Sequence, residues 1–193
     1  MMFGKKGAQS YVRGAFSYLG GSGDFIWIMV AVFLYGMILG FLLPGSFGFL
    51  DSLLAELVMR IEGMNVFELV SYIFFNNAGS AFTGLLFGIF LGIFPIGVAL
   101  FNGIVLGYVF RGVLEVSGLG EFWRILPHGV FELPAVFISL GLGLRLGMFV
   151  FYERKWSELK KRLIHSLIIF LGVVVPLLII AAFIEGLLIA FSR

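Results

Sequence analysis

The chain is 193 residues long, 61% hydrophobic and only 12% charged, with a formal net charge of +2. A soluble globule is nearer one half apolar with about a quarter of its residues charged, so this composition describes an integral membrane protein whose first partner is the lipid bilayer. The charge is too small to point to nucleic acid, and with no cysteine there is no disulfide, thiolate metal site or thiol nucleophile.

Phe25 to Leu43 is a run of 19 residues without a charge, closed by Pro44-Gly45, and about 20 such residues cross a bilayer. It is longer than a signal-peptide core and no small-x-small site closes it, so 25–43 reads as a retained first span. Residues 49–70 set apolar side chains at helical spacing against Asp51, Glu56, Arg60, Glu62 and Glu68, the pattern of a helix lying in the interface. Asn76 to Phe110 carries no charge for 35 residues. With Phe94-Pro95-Ile96-Gly97 as its breaker, this run reads as a hairpin of two spans, 78–94 and 97–116. Two more spans follow at 127–152 and 163–191, the last bent at Pro176. The expected fold is an all-α membrane protein: a single membrane domain of about five transmembrane helices, with an interfacial amphipathic helix between spans one and two.

Lysines and arginines orient the bundle. Five spans put Lys5, Lys6, Arg13, Arg145, Arg154, Lys155, Lys160, Lys161 and Arg162 on one side, and Arg60, Arg111, Arg124 and Arg193 on the other. The richer side faces the cytoplasm, which leaves the N-terminus inside and the C-terminus outside the cell membrane. The run ERKWSELKKR reads as a solvated inner-face segment near anionic headgroups, with His165 as an interfacial anchor.

Within RILPHGVFELPAVFISLGLGLRLG, His128 and Glu132 stand i, i+4 apart and project from one helical face. Both lie in the outer part of span four, and Glu185 lies at similar depth in span five. Asn76 and Asn77, at the entry to span two, belong to the same side, whereas Asn102, near the start of span three, is expected in the opposite leaflet. Pro127 suits a helix start. Pro134 lies inside the span and frees the carbonyl of Val130 beside Glu132.

FFNNAGSAFTGLLFGIFLGIFPIGVALFNGIVLGYVF, LPHGVFELPAVFISLGLGLRLG and VVPLLIIAAFIEG, in that order over roughly residues 70–190, resemble the stage II sporulation protein M family of polytopic membrane proteins. The resemblance is carried by Asn76-Asn77, Phe101-Asn102-Gly103, His128-Gly129-x-x-Glu132 and Ile184-Glu185. It implies a non-catalytic membrane scaffold or anchor, since the sporulation member works with cell-wall hydrolases during engulfment. The acidic stretch 50–70 departs from what such a family would hold uniform, and suggests a surface for a membrane or cell-envelope protein partner.

The polar residues themselves leave three readings open. His128, Glu132 and Glu185 suit a divalent metal such as Zn²⁺ with an open position; they also suit an interhelical hydrogen-bond cluster or a proton or ion pathway. The first and third of these uses define the alternative function, a small transporter or a metal-dependent membrane enzyme. A metalloprotease is disfavoured, because HGVFE lacks the HExxH pair. An open cavity at the cluster separates these uses from a pure scaffold, which needs none.

Ser80, Gly84, Gly88 and Gly92 recur every four residues, and Gly103 with Gly107 and Gly143 with Gly147 repeat the device. Such faces bring helices into close contact, within the chain or in a homodimer.

Overall fold

The computed structural model describes residues 5–118 and 126–191, and these are helical with no strand among them. Eight α-helices follow in order: α1 (Lys5–Gly20), α2 (Gly23–Leu42), α3 (Phe49–Ile61), α4 (Val66–Leu86), α5 (Ile93–Ser117), α6 (Leu126–Gly147), α7 (Lys155–Ile169) and α8 (Val175–Phe191). Four segments are long and apolar enough to cross a membrane: Gly23–Leu42, Ile93–Val116, Gly129–Phe151 and the continuous Lys155–Phe191.

The start of α4 corrects the expected boundaries. Asn65 accepts the Glu68 backbone N–H through Oδ1 at 3.1 Å, and the Glu68 carboxylate accepts the Asn65 N–H at 2.9 Å. This reciprocal capping box begins a helix at Val66. The expected interfacial helix 49–70 therefore ends at Ile61, and its last residues belong to the next element. α3 rests lightly on the bundle, with only Leu50 buried, and is held by the Tyr108 hydroxyl donating to Asp51 Oδ1 at 2.7 Å.

The hairpin turn also falls earlier than 94–97. After a short 3₁₀ segment, Phe87–Ile89, the chain reverses at Leu91 and Gly92, with φ of 55° and 71°. Two successive left-handed residues turn the chain sharply, and the second is the residue type that does so without cost. Pro95 lies in the first turn of α5, where its missing N–H would have had no helical acceptor.

At the other proline, expectation and structure agree in place and differ in form. Pro176 cannot donate to the carbonyl of Gly172 and its ring crowds that oxygen. The chain widens into a π-helical segment, Phe170–Val174, immediately before it, and α7 and α8 run on as one long element.

α6 is the central helix, in contact with α2, α4, α5, α7 and α8; Ser139, Leu140, Leu142 and Leu146 on it are buried. The glycine stripes build the bundle from inside. A Cβ on Gly88 would strike the carbonyl oxygen of Gly143, one on Gly147 the backbone of Gly88 and Gly92, and one on Gly84 the Leu140 side chain. On the other side of the bundle Gly103 and Gly107 of α5 meet the carbonyl oxygens of Phe33 and Met37, while Gly36 and Gly40 of α2 meet those of Leu100 and Ile104. The stripes that left room for a homodimer contact are occupied within one chain.

A second knot ties α1 to the rest. The Arg145 guanidinium stacks 4.0 Å above the Tyr18 ring, donates to the Tyr18 carbonyl oxygen, and donates to Ser22 Oγ at 2.8 Å. Arg162, which is 5% exposed, donates to the Arg145 carbonyl oxygen and stacks 4.4 Å over Tyr152. The basic run is thus not wholly solvated: its last arginine is a core residue. His165 faces the Tyr18 ring at 5.7 Å and packs on Gly14, which makes it an α1–α7 contact.

Candidate functional site

Five helices enclose a cavity of about 680 Å³. Its polar wall is made by Asn76, Asn77 and Ser80 on α4, Asn102 on α5, Glu132 on α6 and Glu185 on α8. Apolar side chains complete it, among them Phe33, Leu106, Leu133 and Val136. Both carboxylates line this one cavity, and among the described residues no lysine or arginine does.

Each polar residue arrives by a different local cause. Asn76 and Asn77 are consecutive on α4, and the Asn76 amide donates to Asn77 Oδ1 at 3.3 Å. Ser80 follows one turn later. Asn102 was expected in the opposite leaflet from a helix starting at residue 97; because α5 starts at Ile93, Asn102 stands nine residues, about 14 Å, into the helix and reaches the same cavity. Its amide nitrogen donates to the Val98 carbonyl oxygen at 3.0 Å. Glu132 and Glu185 come from α6 and α8, which pack against each other.

Pro134 lies inside α6, and the carbonyl it leaves without a helical donor belongs to Val130, another residue of the cavity wall. His128 falls in the first turn of α6, but its side chain lies outside the described residues. Among the described residues no group of three or more His, Asp or Glu side chains is placed to hold a metal ion. Among the described residues the site brings two carboxylates, three carboxamides and a hydroxyl around one space. Such a set offers many oxygen acceptors and suits a cation or an ammonium donor better than an anion.

Long apolar helices, packed backbone to backbone around an acidic, amide-lined cavity, define a polytopic α-helical membrane protein. The model of the stage II sporulation protein M family matches residues 28–188, and the chain belongs to that family. The match takes in most of α2 and all of α3 as well as the region from residue 70 onward that carries the resemblance in sequence. No curated protein and no solved structure matches the chain.

Proposed function

We propose that this protein binds a cation inside the membrane, in the cavity between Glu132 and Glu185, and that the glycine-packed bundle holds that site rigid. The observation that carries the reading is the cavity itself: a pure scaffold needs no space beside its half-buried carboxylates. Two carboxylates facing one space of low polarity repel each other, and a cation seated between them relieves that repulsion. The amides and the freed Val130 carbonyl supply further oxygen ligands without adding charge.

In the topology proposed with this reading, α4 is the fifth crossing. Its 21 residues span about 31 Å, the thickness of the hydrocarbon core. The N-terminus is then cytoplasmic, the cavity opens toward the outer leaflet, and α3 lies in the outer interface. Transport of the bound cation and metal-assisted chemistry are both uses of such a site.

The scaffold or anchor reading is supported by α3, which exposes Phe49, Leu57, Val58 and Met59 beside Glu56 and Arg60 and packs little on its own bundle. The readings separate in one experiment. Melting of the purified protein in phosphatidylcholine nanodiscs is followed with added Na⁺, Zn²⁺ or tetramethylammonium. A ligand at about a hundred times its Kd adds roughly 2.7 kcal/mol of stability. That gain should appear for at least one cation and vanish in the E132Q/E185Q double variant. A wild-type protein whose melting no cation moves is a scaffold.

A further inference from the structure

A second space adjoins the acidic cavity. A groove of about 530 Å³ is lined by Ile93, Phe94, Gly97, Val98 and Phe101 of α5 together with Ser80 and Asn102. Ser80 and Asn102 line the cavity as well, so the two spaces meet at that pair. The packing explains why the seam between α4 and α5 is unfilled although a tight turn joins them. α5 is drawn onto α2 through Gly36, Gly40, Gly103 and Gly107, whereas α4 is drawn onto α6 through Gly84, Gly88, Gly143 and Gly147. The arms of the hairpin are held by different partners and touch each other little.

The joined space is polar at one end and apolar at the other. From Ile93 to Asn102 it offers about 14 Å of apolar wall, and Ile93, Phe94 and Phe101 are exposed there. Beyond Asn102 it offers two carboxylates and no lysine or arginine among the described residues. Gly97 leaves the groove floor bare: a Cβ there would meet nothing within 4 Å. We infer that the occupant is a cationic amphiphile, a lipid-like molecule with an ammonium head between Glu132 and Glu185 and an alkyl chain in the Ile93–Phe101 groove. A phospholipid is disfavoured, since its phosphate would face both carboxylates. This rests on the reading of the cavity as a cation site and adds the class of ligand.

The probes are tetramethylammonium, dodecyltrimethylammonium, and a dodecylamine bearing a terminal photoreactive diazirine, each added to the protein in phosphatidylcholine nanodiscs. Photolysis should place adducts between Ile93 and Phe101, and an excess of dodecyltrimethylammonium should displace them. E132Q/E185Q should lower the labelling by about tenfold or more, the scale of one lost charge-assisted contact. Gly97→Leu fills the groove without a clash, so it should abolish labelling and keep tetramethylammonium binding. Gly172→Leu, another glycine with open space around it, should alter neither. If tetramethylammonium binds but the alkyl chain adds no affinity, or adducts spread over every lipid-facing helix regardless of Gly97→Leu, the amphiphile is wrong and the cation site stands. If no ammonium of any chain length binds, the cation site itself is wrong.

Discussion

Gly88, just beyond the end of α4, faces the carbonyl oxygen of Gly143 on α6 with no room for even a methyl group between them. In lipid, where apolar surface gains nothing by leaving one apolar neighbour for another, contacts this close are what holds helices together. Gly88→Ala should therefore lower thermal stability in detergent, by an overpacking cost of about 1–3 kcal/mol. Gly107→Ala should do the same, because its Cβ would strike the Met37 carbonyl oxygen. Gly112, where nothing lies within 4 Å, should accept alanine without loss. Equal melting of all three variants would mean that the two interfaces are not the ones described.

Arg145 should act as the latch of α1. Its guanidinium meets the Tyr18 ring, the Tyr18 carbonyl and Ser22 at once, and a hydrogen bond to a charged group is worth about 1.5–3 kcal/mol. In Arg145→Leu, limited proteolysis should cleave α1 far sooner than in the wild type, with α6 to α8 still protected. Arg145→Lys should restore only part of the latch, since an ammonium can donate to both acceptors but lacks the planar guanidinium face that stacks on the Tyr18 ring. Unchanged cleavage would show that α1 is held by its apolar contacts alone.

Topology is tested on a cysteine-free background that nature has supplied. Glu62→Cys, between α3 and α4, should react with an impermeant thiol reagent from outside intact cells. Phe90→Cys, at the hairpin turn, should react only after permeabilisation. Reaction of both from the same side would show that α4 does not cross.

Much of this arrangement is legible in the sequence because lipid penalises charge so heavily. Charge-poor runs mark α2, α5 and α6 to within a few residues at most ends and place the apolar part of the α7–α8 element, and counting depth along them brings Glu132 and Glu185 to one level. The misreadings have local causes. Asn65 and Glu68 sit within a stretch that looks like one amphipathic helix, and only their mutual hydrogen bonds reveal a new start. Pro95 draws the eye as a breaker, yet a proline in a first turn breaks nothing, and the reversal lies at Leu91-Gly92. That four-residue error in the start of α5 is what misplaces Asn102. The partners of the glycine stripes were out of reach for a different reason: Gly36 and Gly40 become half of an interface only once α2 is known to lie against α5.

The central claim, that the cavity draws cations, is tested most directly by the charge preference of a reagent entering it. Val130 lines the cavity and is 64% exposed, so Val130→Cys reports on what arrives there. Two methanethiosulfonates of similar size, one cationic and one anionic, are compared on this variant in nanodiscs. Electrostatic focusing by an acidic cleft raises the arrival of the favoured charge by about tenfold or more. The cationic reagent should therefore react faster by that factor, and adding E132Q/E185Q should bring the two rates together. Equal rates with both glutamates in place, or a faster anionic reagent, would contradict the account.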